Sequence, residues 1–269
     1  MPRQDLERRR AVIVGFNGGD GGRLEFAHSD ARRIGKVLER RLQFKTKILV
    51  GRQATPDLIR RHIIRASNAD VLLMYFSGHA DYLEEDNEHR LHLCPSIPPP
   101  RNIARVSIVA LHELETLVRE FTRARVCVLV VDACRVETTG GSGGAAELET
   151  GDWFRASDPP VPEEMPCGGN WSERPTLITL LSCGPNEVAF EHRSIRNSLF
   201  TDALCEELEA GPERALNVIF QRASKKTVRR GKKLYGQPQR PEWFGPMDID
   251  IWLARRRPRA YNGPRCTIE

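Results

Sequence analysis

The 269-residue sequence contains no apolar run longer than a β-strand, whereas a membrane-spanning helix needs about 20 such residues. A spanning segment is therefore excluded and no membrane partner is expected. The N-terminal Met1-Pro2-Arg3-Gln4-Asp5 leads through Arg8-Arg9-Arg10 into only Ala11-Val12-Ile13-Val14, which does not read as a signal peptide. The seven cysteines, at 94, 127, 134, 167, 183, 205 and 266, form no CxxC pair and no metal-ligand spacing. Their odd, scattered set fits a reducing cytoplasm. His89 and His92 lack companion ligands at fixed spacing, so no metal is expected. No frame of the glycine-rich Gly15-Phe16-Asn17-Gly18-Gly19-Asp20-Gly21-Gly22 reads Gly-x-Gly-x-x-Gly, which removes a dinucleotide cradle. The basic residues gather late, in Lys225-Lys226, Arg229-Arg230, Lys232-Lys233 and Arg255-Arg256-Arg257, without interleaved aromatics or a known binding motif. They read as a solvated helix face and tail, and no nucleic-acid partner is expected.

What is present is an ordinary soluble balance, 40% apolar and 29% charged residues with a net charge of +5, in a length that one α/β core can organise. Two runs stand out. Val126-Cys127-Val128-Leu129-Val130-Val131 is unbroken and mostly β-branched, the pattern of a strand buried on both faces of a parallel sheet, and it stops at Asp132-Ala133-Cys134-Arg135. Asp70-Val71-Leu72-Leu73-Met74-Tyr75-Phe76 is a second such run, ending in Ser77-Gly78-His79-Ala80-Asp81. Open α/β sheets present chemistry at the carboxyl ends of their strands. Two buried strands thus deliver Cys134 and His79 to one end of the sheet, the pair required for a thiol nucleophile with an acid–base partner. Around them strands and helices alternate. A first strand at Ala11–Val14 precedes a helix with Ile34, Val37, Leu38 and Leu42 on one side, and an edge strand spans Phe44–Val50. A helix opened by Thr55-Pro56 follows, then a hairpin over Tyr82–Leu93, a helix capped by Ser107, a strand at Thr176–Leu181, and helices from Asn197 and from Pro212.

These residues resemble the caspase-like cysteine peptidases. Ala133-Cys134-Arg135 matches the core of the family's Gln-Ala-Cys-(Arg/Gln/Gly)-Gly signature, and His79 lies about 55 residues upstream, near the family's spacing of about 50. Aspartate two residues before the cysteine, with Ser-Gly-His before it, is similar to the metacaspase and paracaspase branch and its prokaryotic homologues. So are Gly15-Phe16-Asn17 with Asp30 at the helix start, the turn Ser182-Cys183-Gly184-Pro185-Asn186-Glu187-Val188-Ala189-Phe190-Glu191, and the closing Gly236-Gln237-Pro238-Gln239-Arg240-Pro241. The resemblance implies a caspase-like, doubly wound α/β fold: a mostly parallel sheet of about six strands with helices on both faces, in one domain over 1–269. Metacaspases often bind calcium through aspartates near Cys94. Pro95-Ser96-Ile97-Pro98 supplies none, so no cofactor is expected and the match leans to paracaspases.

The resemblance implies Cys134 as nucleophile, His79 as its acid–base partner, and the backbone N–H groups of Cys134 and Ala80 as the oxyanion hole, Ala80 standing where the family usually has glycine. A carboxylate beside a thiol raises its pKa, so Asp132 does not serve nucleophilicity. It reads as one wall of a pocket for a basic side chain, with Asp30, Ser77, Ser182 and Glu187 as the others and Glu191 as the alternative to Glu187. The expected activity is cleavage of proteins or peptides after Arg or Lys. A caspase-like adaptor and a small-molecule thiol hydrolase are the competing readings. The segment 136–175 has linker composition at both ends, and a basic tail spans 254–269. Arg155 is the expected processing site, cut by another copy of this chain or by an upstream protease of similar preference.

Overall fold

The structure, a computed structural model, describes residues 8–18, 24–85, 88–96, 107–135, 175–247 and 251–253. The insertion at 136–174, with Arg155, and the tail at 254–269 lie outside the described residues. The chain runs through β1 (Arg9–Gly15), α1 (Ala27–Leu42), β2 (Lys45–Val50), α2 (Pro56–Arg65), β3 (Val71–Ser77), β4 (His79–Glu85), β5 (Glu88–Ser96), β6 (Ser107–Ala110) and α3 (Leu111–Phe121). It continues through β7 (Val126–Asp132), β8 (Thr176–Leu181), β9 (Glu191–His192), β10 (Asn197–Ser198), α4 (Leu199–Ala210), α5 (Leu216–Tyr235) and β11 (Glu242–Phe244).

Six strands form the central sheet in the order β11-β8-β7-β3-β1-β2, parallel except for β11. This is the doubly wound, mostly parallel α/β architecture expected from the sequence. Side chains alternate between sheet faces along each strand, and the alternation divides the core in two. Ile13, Tyr75, Val128, Val130 and Leu180 pack against α1, α4 and α5. Val14, Met74, Phe76, Cys127 and Leu129 pack against α2 and α3. The β3 and β7 runs are buried on both sides, which is why their sequences show no polar alternation.

Local chemistry sets the element ends. Thr55 accepts the Leu58 N–H at 3.3 Å and Pro56 occupies the first helical position of α2, as the sequence indicates. α1 has no side-chain cap of its own. The His28 N–H in its first turn donates to Asn17 Oδ1 (2.7 Å), and just ahead of the helix the Glu25 and Phe26 N–H groups donate to the Glu191 carboxylate (2.9 and 3.1 Å). A Cβ at Gly15 would overlap the Ala27 carbonyl oxygen and come within 2.7 Å of Ala31 Cβ. Glycine there lets the first turn of α1 settle on the carboxyl end of β1.

Three helix starts differ from the sequence reading, the first slightly: Asn197–Ser198 form β10 and α4 begins at Leu199. Residues 107–110 form strand β6, paired with β5 through Leu93–Val109 and Ser96–Ser107, and the helix begins only at Leu111. The partner strand, invisible in the local sequence, overrides Ser107 as a cap. Likewise α5 starts at Leu216 and not at Pro212, because Ala215 bridges to Trp252 and the Leu216 N–H donates to the Ile251 carbonyl at 2.6 Å. No helix among the described residues is long and apolar enough to cross a membrane.

Candidate active site

Parallel register aligns the carboxyl ends of three strands: Gly15 pairs with Ser77, and Ser77 with Asp132. The Gly78 N–H extends the ladder to the Asp132 carbonyl (3.3 Å), and the Ser182 N–H donates to the Val131 carbonyl at 2.9 Å. His79 and Cys134 each follow two residues beyond the aligned Ser77–Asp132 pair, so neighbouring strands, which lie about 4.8 Å apart, bring them to the same edge. Gly78 makes the departure of His79 from β3 feasible, since a Cβ there would stand 2.8 Å from the Phe76 ring. His79 then opens β4, opposite Cys94. Ala80, the position with a side chain where glycine is usual, packs it against the apolar cluster on the α2–α3 face.

Among the cysteines whose side chains are described, Cys127, Cys183 and Cys205 are buried and only Cys134 is half-buried. Burial pushes the Cys183 thiol up to about 12 and makes it inert. The Cys134 thiol is also raised, first by burial and then by the carboxylates of Asp132 and Glu191. Its Sγ donates to the Ala189 carbonyl across 3.8 Å, a weak contact.

Beneath the thiol lies a buried acidic pair. Asp30 (0% exposed) accepts from Asn197 Nδ2 (2.7 Å) and the Ser198 N–H (3.0 Å) on one oxygen and from Ser77 Oγ (3.1 Å) on the other. Asp132 (3% exposed) accepts on Oδ2 from Ser198 Oγ and from Thr201 Oγ1 (2.6 Å). Its Oδ1 is buried and makes no hydrogen bond of ordinary geometry among the described residues, although the Ser182 hydroxyl lies near enough to favour the ionised carboxylate. Tyr75 Oη meets Thr201 Oγ1 from below. Desolvation raises both carboxyls, and for Asp30 the charge of Asp132 adds to it. Ser198 is at once the N-cap of α4, accepting the Thr201 N–H at 3.2 Å, and a donor to both aspartates. The positive end of the α4 dipole therefore faces the pair.

The structure brings Asp30, Ser77 and Asp132 together as one cluster, with Ser182 at its edge, donating to the Ala133 carbonyl at 3.3 Å. Glu187 is engaged elsewhere. It accepts from the Gly184 and Arg240 N–H groups (3.2 and 2.7 Å) and pairs with the Arg240 guanidinium. Burial opposes its ionisation, yet these bonds outweigh it and hold the carboxyl below the usual range. Glu191 stands instead directly across β9–β10 from Ser198, and its charge acts on both Asp132 and Cys134. Asn197, Ser198, Thr201 and Tyr75 escaped the sequence reading. The only local signal was Asn197-Ser198 ahead of an apolar helix, an N-cap pattern that says nothing about the carboxylates it also serves. Among the described residues, no group of three or more His, Cys, Asp or Glu is arranged to hold a metal ion.

The family described as Caspase domain matches residues 8–247. Similar solved structures include protein GSU0716 from Geobacter sulfurreducens (TM-score 0.61, 16% identity, covering 88% of this chain and 93% of that one). They also include caspase-1 from Spodoptera frugiperda (TM-score 0.58, 16% identity, covering 93% and 91%). No curated protein sequence matches the chain.

The raised Asp30 carboxyl has a measurable cost. The folded state holds its proton more tightly than the unfolded chain, so stability declines as pH rises above about 4, the ordinary aspartate value. Asp30→Asn keeps the shape, removes the buried charge and leaves Ser77 Oγ free to rotate and accept. We expect it to raise the thermal midpoint by roughly 2–4 °C at pH 8, the shift that about 1 kcal/mol produces in a chain of this size, with the gain vanishing near pH 4. A lower midpoint than wild type at pH 8 would overturn the assignment.

Proposed function

This chain belongs to the caspase-domain family, and on that premise we propose that it is a cysteine endopeptidase of the metacaspase and paracaspase branch, cleaving proteins after Arg or Lys. The observation that carries the specificity is the buried pair Asp30 and Asp132 beside Cys134, with Asp132 Oδ1 making no hydrogen bond of ordinary geometry among the described residues. A desolvated carboxylate with an unused lone pair is matched by a guanidinium, bidentately, or by an ammonium through charge. An aspartate side chain would add a third negative charge to the same buried volume. Glu191, across from Ser198, is the third acid of the pocket in this reading, and Glu187 supports the loop through Arg240.

The chemistry follows from the same groups. Burial and nearby carboxylates keep Cys134 protonated at rest. A cationic side chain entering beside Asp132 and Glu191 offsets the charges that add to burial in raising the thiol, so binding the correct substrate itself favours the thiolate. His79 accepts the Sγ proton as sulfur attacks the scissile carbonyl carbon. The oxyanion receives N–H bonds from Cys134 and Ala80, the Gly78 N–H being committed to the Asp132 carbonyl. The C–N bond then breaks, the leaving amine takes the proton from His79, and water hydrolyses the thioester. The Ala189 carbonyl, 3.8 Å from Sγ, is placed to accept the N–H of the residue before the scissile bond once substrate displaces the thiol contact.

Three outcomes test this reading. Cys134→Ala is expected to abolish cleavage and covalent labelling by an arginyl acyloxymethyl ketone without unfolding the chain, and His79→Ala to slow turnover by about 10² or more. Absence of any adduct in wild type would support the adaptor reading instead. In the pocket, Asp132→Asn and Glu191→Gln are each expected to lower kcat/KM for arginyl substrates by at least tenfold, while Glu187→Gln acts mainly on stability; faster cleavage of aspartyl than arginyl peptides by wild type would exclude the pocket assignment. For activation, we carry forward a cut after Arg155 in the insertion between β7 and β8. Intact-mass analysis is expected to show that break in wild type and not in Cys134→Ala, and full activity of uncut Arg155→Ala would remove it as the switch.

A further inference from the structure

α5 concentrates the charge of the molecule. Its 20 residues contain seven Lys and Arg and no acid, more than the whole chain's net charge of +5, so everything outside α5 sums to −2. Two of the seven are neutralised on the inner flank, where Lys226 pairs with Glu206 and Glu207, and Arg230 with Asp202 and Glu206, all from α4. The other five, Arg222, Lys225, Arg229, Lys232 and Lys233, are exposed, and no acid of the described residues pairs with them. Positions 222, 225, 229 and 232 recur at three- and four-residue steps, so they line one face of the helix. From Arg222 to Lys233 the stripe is about 16 Å long at 1.5 Å per residue.

The stripe points at the active site. Tyr235, one turn beyond Lys232 on the same face, donates its hydroxyl to the Glu191 carbonyl and stacks on Phe190 with ring centroids 4.3 Å apart. Phe190 adjoins Ala189, whose carbonyl faces Cys134 Sγ. The cationic row thus ends where the polypeptide being cut must pass. We infer that α5 is an exosite for an acidic segment of the protein substrate, so that the preferred substrate combines a basic residue at the scissile bond with a run of Asp and Glu some residues away. The inference rests on the peptidase reading. A substrate chain is favoured over a nucleic acid because the row is continuous with the rim of the cleft and no aromatic side chain interleaves its cations for base stacking.

The test compares an arginyl fluorogenic peptide carrying an Asp-Gly repeat, through a flexible linker on either side, with the same peptide carrying a Ser-Gly repeat. We expect a KM about tenfold lower for the acidic version at low salt, with kcat unchanged and the difference gone at about 0.5 M salt, where charges are screened beyond a few ångströms. The triple variant Arg222→Gln, Lys225→Gln, Arg229→Gln removes exposed charges far from the cleft and is expected to erase the preference. The triple Arg52→Gln, Arg61→Gln, Arg65→Gln, exposed residues on or beside α2, removes equal charge and is expected to keep it. Equal KM values for the two peptides, or equal loss in both triples, would overturn the exosite. Should the protein cut neither peptide, the peptidase reading has failed; anisotropy of a labelled Asp-Gly repeat on Cys134→Ala then reads α5 alone, with salt-sensitive binding lost only in the α5 triple supporting an acidic-peptide surface and no binding refuting it. Displacement of that repeat by a DNA duplex at lower concentration would reassign the stripe to nucleic acid.

Discussion

The structure turns on the burial of two like charges. Asp30 and Asp132 are removed from water within one cluster, where each raises the cost of ionising the other. Such a site persists only if hydrogen bonds and dipoles are supplied to it. Ser77 comes from β3, Asn197 and Ser198 from β10, and Thr201 from the first turn of α4. Each of these elements must be in place for the pair to exist. The support extends outward, since Arg33 of α1 donates to Asn197 Oδ1 at 3.2 Å and so aims its amide nitrogen at Asp30. Arg33 in turn pairs with Asp202, and Asp202 with Arg230 of α5.

In the proposed reading Asp132 of this pair connects specificity with reactivity. A half-buried thiol beside Asp132 and Glu191 is a poor nucleophile at rest, and in that reading a cation delivered by the substrate repairs this. On that proposal selectivity and activation are two consequences of one electrostatic arrangement, and an anionic or neutral side chain would fail at both. Glu191 has a further duty, because its carboxylate accepts the Glu25 and Phe26 N–H groups just ahead of α1. The loop that shapes the pocket is thereby fastened to the helix that brings Asp30. Gln239 fastens it from the other side, donating to the Ser182 carbonyl at 2.9 Å and accepting the Phe190 N–H at 3.0 Å.

Charge is segregated across the molecule in a way that composition hides. A net value of +5 describes neither the buried acids under the thiol nor the cationic α5. In the linear sequence the lysines and arginines of α5 read as a solvated face. In three dimensions the acids of α4 absorb Lys226 and Arg230 and leave the remaining five on one continuous strip.

The sequence by itself determined the fold class and the placement of Cys134 and His79 at one edge of the sheet. Buried parallel strands must be apolar on both faces, so Val71–Phe76 and Val126–Val131 announce themselves, and the residues that end such runs fall at the carboxyl edge of the sheet. Ser77 and Asp132 were legible at the ends of these runs, and Asp30 through the resemblance to metacaspases and paracaspases. Tertiary structure alone decided what surrounds the buried acids. Asn197, Ser198 and Thr201 lie more than 160 residues from Asp30 and at least 65 from Asp132, and their types suit any helix start. Glu187 and Glu191 are four residues apart in one turn, and nothing local separates them. The neighbour each one meets does so: Arg240 neutralises the first, and the pairing of β9 with β10 sets the second beside Ser198. The start of α3 was decided in the same way, by a strand partner that supplied hydrogen bonds Ser107 as a cap could not outweigh. Hydrophobic periodicity is local and survives in the linear text, whereas the pairing of polar groups across long separations is settled only when the chain closes on itself.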